Sequence, residues 1–288
     1  MTTTTMTRSG ETGYEDMEAT PAVSRPRRRL GLQATRSEAK RLSRRSFAGV
    51  GLGLLIFFSI MTTAVTFFAG NEAGGRMQSQ IDLTSAEGLV AGFMTGADIF
   101  GIVALALWAA ATASDYSTGW VRVLVQAEPR RWRLYGGKLF ALVGYTVVGT
   151  AVAAVVSFAL APAFAGMEGI STAAWSAGAV TTALSTWLNV TLSVLAWGVI
   201  GVAVATVTRS VAAAIAGGVG YLMVVEGLLG LVLDESLMTY FPGSVLSAVA
   251  SGGVADLAYG SALLIGLGYA AAAVVIAGLV FARRDITS

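Results

Sequence analysis

The sequence predicts an all-α membrane protein with six transmembrane helices, and three observations carry that prediction. Charged residues make up 12% of the chain and hydrophobic ones 55%, whereas a soluble domain carries about 25% charge. Uncharged apolar runs of about 20 residues recur, each long enough to cross roughly 30 Å of hydrocarbon. Arginine and lysine gather in alternate connections between those runs, the pattern of a multi-pass protein with its basic loops in the cytosol.

Residues 1–30, with TTTT near the start and RPRRRL at the end, are polar and lack helical periodicity. They read as a disordered cytosolic tail. No apolar core follows a short basic start, so the tail is not a signal peptide. Residues 31–288 then form one six-span domain. The stretch 32–47, LQATRSEAKRLSRRSF, is basic with few apolar marks. It fits an interfacial helix with arginines at lipid headgroups, or a plain charged flank to the first span.

The spans are expected at about 48–70, 89–113, 139–166, 178–207, 211–233 and 257–282. Asp98 lies in the second, Pro162 near the end of the third, and Glu226 in the fifth. Residues 1–47, the 114–138 insert, the Arg209 turn and the C-terminal end hold all of the 19 basic residues except Arg76. The other connections are acidic, with Glu72, Asp82, Glu87, Glu168, Asp234, Glu235 and Asp256. Both termini and the insert therefore fall on the cytosolic side of the cytoplasmic membrane. Residues 234–256 are too apolar for a free loop, and Pro242, Gly243, Gly252 and Gly253 break them too often for a span. Two short helices dipping into the outer leaflet, or a helix lying on the headgroups, would satisfy the backbone there.

Composition excludes several chemistries. The chain has no cysteine and no histidine, which removes thiolates, the commonest general base and the commonest metal ligand. Its two lysines, Lys40 and Lys138, both lie outside the apolar runs, against a buried Ser/Lys dyad. No metal site, catalytic residue or nucleic-acid partner is expected. A G-x-x-x-x-G-K-[ST] phosphate loop is also missing: Gly136-Gly137-Lys138 is followed by Leu139 and lacks the upstream glycine.

The 114–138 insert, SDYSTGWVRVLVQAEPRRWRLYGGK, separates two apolar runs. Within Tyr116–Ala127, Val121, Leu124 and Val125 oppose Arg122 and polar neighbours, which suits a short surface helix. Pro129 breaks it and starts a second basic turn. A basic membrane-flanking loop needs no partner, so composition alone leaves its role open.

The order of residues resembles the signature of ABC-2-type permeases, the membrane subunits of ATP-binding-cassette transporters. There the second span ends in an acid, followed by a Gly-Thr step, an apolar-basic helix, a proline, arginines and a lysine opening the third span. Asp115, Gly119, Arg122, Leu124, Pro129, Arg130, Arg131 and Lys138 fill those places. Asp115 stands where glutamate is commoner, and Trp120 replaces a small hydroxyl residue. ATVTRSVAAAIAGG, YFPGSVLSAVASGG and FARRDITS resemble the family's turn between spans four and five, its external element and its ending. The resemblance implies that 114–138 is a coupling helix seated on a separate ATPase subunit, present in two copies. ATP and magnesium would bind that partner, not this chain. A second permease copy or paralogue would complete the usual twelve spans.

Burying Asp98 or Glu226 costs roughly 2.5–3.5 kcal/mol on insertion scales. They could line a vestibule for a polar or cationic substrate, couple protons, or bond neighbouring helices through Thr95, Tyr221 or an Asn189-type partner. Asn189 itself reads as interhelical glue. Glycines in the spans are mostly packing sites. Because the resembled family joins its halves through spans one and five, Gly217, Gly218, Gly220 and Gly227 mark a candidate dimer seam. Three functions compete: a permease, more an exporter than an importer, for a hydrophobic or amphiphilic drug, lipid or peptide; an ion-coupled secondary carrier using Asp98 and Glu226; and a non-transport membrane scaffold.

Overall fold

The computed structural model describes residues 45–69, 81–117, 131–176 and 178–283. Among these, helices are the only regular elements besides an isolated bridge between Val254 and Leu257. Six of the helical segments are long and apolar enough to cross a membrane.

The first span is α1, Arg45–Phe68. The second is broken into α2, Ala91–Thr95, and α3, Ala97–Ser117. The third, α4, runs from Arg131 to Met167 and carries Pro162 inside it. At 1.5 Å per residue its 37 residues reach about 55 Å, well beyond roughly 30 Å of hydrocarbon. The fourth span, α5, is Ala179–Thr208. The fifth is α6, Val211–Gly220, continued by a π turn at Tyr221–Glu226 and by α7, Gly227–Leu229. Two short helices follow, α8 at Glu235–Met238 and α9 at Pro242–Ala250, before the sixth span, α10, Tyr259–Arg283.

Most spans begin and end near the positions expected from hydropathy. The largest difference is at the insert, which α3 and α4 enter from either side. Trp132, Leu134 and Tyr135 continue a helix freely, because the breaker Pro129 lies just before it. The interfacial helix expected at 32–47 lies outside the described residues except for its last three, which open α1.

The core sits between α3 and α5, the most extensively packed pair of helices. Tryptophans and glycines interlock there. A Cβ at Gly101 would lie 2.3 Å from the Trp197 ring, and one at Gly198 would lie 2.6 Å from the Trp108 ring. Each helix thus gives a glycine hollow to the other's indole, and the two backbones approach closely. Trp108 Nε1 donates to Thr146 Oγ1 of α4 at 2.9 Å. Hydroxyls join α1 to α4 and α4 to α5. Ser59 donates to the Ala153 carbonyl at 2.7 Å, Thr63 and Ser157 bond at 2.8 Å, and Thr150 and Thr191 bond at 2.9 Å. In an apolar surrounding such bonds contribute about 0.6 kcal/mol each, up to about 2. We expect Trp108→Phe to lower unfolding stability in lipid by about 1 kcal/mol. Thermal unfolding of the purified chain would check this.

The connections are ordered as well. Trp175 Nε1 donates to the Leu83 carbonyl at 2.9 Å. Asp82 accepts from the Thr84 hydroxyl and backbone N–H at 2.7 and 2.9 Å, which holds its carboxyl below the usual carboxylate range. Between spans four and five, Arg209 takes the left-handed conformation (φ 55°) that ends α5, and Ser210 accepts from the Ala213 N–H to open α6. This is the Thr-Arg-Ser turn singled out in the sequence.

Candidate functional site

Two polar constellations stand out, at opposite ends of the bundle. The first lies where α3 ends and α4 begins. Asp115 is 7% exposed, and its carboxylate forms an ion pair with the Lys138 ammonium. Lys138 also donates to the Ala111 carbonyl at 2.7 Å, close to the C-terminal end of α3, where a cation meets the negative end of the helix dipole. Lys138, about two turns into α4, is thereby tied to the second span. Removing one partner of such a buried pair leaves an uncompensated charge, whose cost exceeds what the pair itself contributes.

The same end of α4 is fixed to the sixth span. Tyr135 is buried, its hydroxyl donates to the Val274 carbonyl at 3.2 Å, and its ring stacks on Phe281 with centroids 6.3 Å apart. The exit from the insert is therefore clamped to α3 on one side and to α10 on the other. Of the insert residues named from sequence, Asp115 and Lys138 meet directly. Arg131 opens α4. Gly119, Arg122, Leu124, Pro129 and Arg130 lie outside the described residues.

The second constellation surrounds α9 at the other end. Phe241 offers no side-chain cap to this helix. Glu226 supplies one from the fifth span, accepting the Gly243 N–H on Oε1 at 2.8 Å. A carboxylate at a helix N-terminus satisfies an orphan donor and faces the positive end of the dipole. The approach requires glycine, since a Cβ at 243 would lie 2.0 Å from Glu226 Oε2.

The π turn explains how Glu226 is held. Residues five apart diverge by about 140° on an α-helix but come much closer to one face on a wider π turn. Tyr221 therefore lies close to Glu226. One helical turn along α9 from Gly243, Ser247 lies beside Asp98 at the start of α3. Two acids from two spans thus meet one face of α9. Nearby, Tyr269 of α10 donates to the Tyr240 carbonyl at 2.5 Å.

Asn189 and Thr95, weighed in the sequence as partners for these acids, are engaged elsewhere. Asn189 Oδ1 accepts from the Tyr259 hydroxyl at 2.7 Å, joining α5 to the start of α10. Thr95 donates to the Ala91 carbonyl of its own helix at 2.9 Å. Of the seam glycines, Gly218 is buried against Leu105, where a Cβ would lie 2.4 Å from its side chain. Gly217 and Gly227 are exposed, and Gly220 has nothing within 4 Å of its Cβ position. Sequence reasoning missed Tyr135, Ser247, Tyr259 and Tyr269. A tyrosine in an apolar span signals a polar handle, but nothing local says which helix receives it.

Residues 52–287 match the model of a family described as protein of unknown function, DUF2705. The chain belongs to DUF2705. The match starts inside α1 and reaches past α10, so both constellations fall within the family region. No curated protein matches the chain.

The contacts of Glu226 make a sharp expectation. Glu226→Ala should cost about 1.5–3 kcal/mol, the range for a hydrogen bond to a charged group, and Glu226→Gln less, because the amide oxygen still accepts. Gly243→Ala should be destabilising in the natural chain and nearly harmless once Glu226 is alanine. A double-mutant cycle on unfolding in lipid reads that coupling directly.

Proposed function

We propose that this chain is the permease subunit of an ABC-2-type transporter, in the cytoplasmic membrane with both termini cytosolic. It would move a hydrophobic or amphiphilic cargo, most simply outward, using ATP and magnesium on a separate ATPase subunit present in two copies. The observation that carries the reading is the buried Asp115–Lys138 pair. It joins the two residues that bracket the resembled coupling segment, so a push on residues between them reaches both helices as one body. A lever needs such a joint, and a passive basic loop does not.

Two further features support the reading. The fifth span is the least embedded, with 12% of its apolar window buried against 67% for the fourth, and Val224, Val225 and Leu228 are exposed along it. On α1, Val50, Leu54, Phe57, Met61 and Val65 form an exposed stripe at helical spacing. Those faces suit a second copy or paralogue meeting through spans one and five. At the other end, Leu246 of α9 shares a cluster with Leu105 and Trp197, near the midpoints of α3 and α5. That depth is what a re-entrant external helix would reach.

The test is isolation of the full chain from its native host with its bound proteins, followed by reconstitution into phospholipid vesicles. A copurifying ATPase, and ATP-driven movement of a fluorescent phospholipid analogue or a fluorescent cationic amphiphile, is the expected result. Full movement of either probe without ATP and without any ATPase would overturn the reading. A second reading has one specific observation in its favour, the convergence of Asp98 and Glu226 on α9. An ion-coupled carrier built on them would respond to an imposed proton or sodium gradient, with transport lost in Asp98→Asn.

A further inference from the structure

The joint beneath the insert has a second arm that no sequence signature marks. We infer that Tyr135 is a positioning residue which couples the start of α4 to the sixth span, so that displacement of this end of α4 moves α10 together with α3. The inference rests on the permease reading for its driving force, but its mechanical part stands by itself.

The geometry is specific. Tyr135 lies one helical turn before Lys138, so the two side chains leave neighbouring parts of α4, Lys138 toward Asp115 and Tyr135 toward α10. On α10, Ala273, Ala277 and Phe281 recur at four-residue spacing, and both alanines are buried. They form a small-residue landing in the same apolar cluster as Tyr135, Ala141 and Leu142, with Phe281 packed against it as the stacking ring. The hydroxyl then bonds the Val274 carbonyl at 3.2 Å. Within a helix that carbonyl already accepts from the amide four residues on, so a second donor attaches there without breaking the helix.

The rest of α10 makes this grip matter. Only 22% of its apolar window is buried, and Leu264, Leu267, Val275 and Ile276 are at least half exposed. Its other end is held by the Tyr259–Asn189 bond, and Tyr269 near its midpoint bonds the Tyr240 carbonyl. One face of α10 packs along α5 and α9, whereas its contact with α4 is slight, so the Tyr135 hydroxyl and ring form a direct tie between α4 and α10. Lys138 ties this end of α4 to the second span, and Tyr135 adds the direct tie to the sixth.

Because the chain has no cysteine, single pairs of spin labels can be placed at will. Val207 and Leu279 are exposed and lie near the same ends of α5 and α10 as the joint. Labels at Val207→Cys and Leu279→Cys in the full chain, reconstituted alone in phospholipid vesicles, should give one narrow distance distribution. Tyr135→Leu should widen it at least twofold, and Tyr135→Phe, which keeps the ring, by a smaller factor. An unchanged width in Tyr135→Leu overturns the inference, whatever any ATPase does.

With the copurified ATPase, ATP and vanadate should shift the distance in the natural chain. Tyr135→Phe should at least halve that shift while ATP hydrolysis stays within twofold, an uncoupling that a merely structural tyrosine would not produce. A full shift in Tyr135→Phe also overturns the inference. Absence of any ATP-dependent shift in the natural chain counts against the permease reading instead, and leaves the vesicle result to decide on Tyr135.

Discussion

Asp115→Ala should be among the most damaging single substitutions, lowering unfolding stability by about 3–5 kcal/mol. The Lys138 ammonium would be left beside the α3 terminus without its carboxylate, keeping only the Ala111 carbonyl of the two acceptors described here. Lys138→Ala should cost a similar amount by taking the ammonium from the acid, which is 7% exposed. The paired replacement Asp115→Leu with Lys138→Met should cost much less than the sum of the single changes, because an apolar pair of similar volume removes both desolvated charges together. Chemical unfolding in bicelles, analysed as a double-mutant cycle, measures the coupling, and additive single costs would show that the pair contributes nothing. Function separates from stability in this set. On the proposed permease function, the apolar pair should fold and still lose ATP-driven transport, since packing replaces the charge but not the directional hold of Lys138 on two acceptors.

Gly201→Leu should be comparably severe for a different reason. A Cβ at 201 would lie 2.4 Å from the Leu105 carbonyl oxygen and 3.0 Å from its Cα. Those atoms are backbone inside α3 and have no rotamer in which to retreat. The helices must separate by an ångström or more, which also lifts Trp108 and Trp197 from the glycine hollows opposite them. Overpacking costs about 1–3 kcal/mol where side chains can adjust, occasionally more, and here both helices would have to move. Gly201→Ala should fall within that range, while Gly201→Leu should exceed it and abolish a monodisperse elution peak. By contrast Gly53→Leu on α1, where nothing lies within 4 Å of the Cβ position, should elute normally. A normal elution profile for Gly201→Leu would mean that α3 and α5 are not packed as described.

These predictions mark how much of the site could be read from the chain itself. Asp115 and Lys138 were legible as the edges of a patterned insert, because an acid and a lysine at the margins of apolar runs are visible in any window. Their pairing across 23 positions was not, since sequence spacing does not say how two spans lie side by side. Glu226 was legible as an oddity, an acid in an apolar run. Its partner Gly243 was hidden, because the need for glycine there arises from a carboxylate that approaches from another helix. Tyr221 could be suggested as a partner, yet only a π turn brings residues five apart onto one face, and a local break in helical winding leaves no clear mark in hydropathy.

By itself the sequence determined the class of structure and the count of membrane-grade helices. Charge scarcity, run length and basic-residue placement are additive along the chain, and the bilayer imposes the same length on every span. Tertiary structure alone decided which polar group meets which: Asp115 with Lys138, Tyr135 with α10, and both intramembrane acids with α9. Those meetings depend on helix rotation and close approach, set by interlocking shapes such as Trp197 in the hollow at Gly101. Such fits join residues far apart in the chain, where no local pattern carries the information.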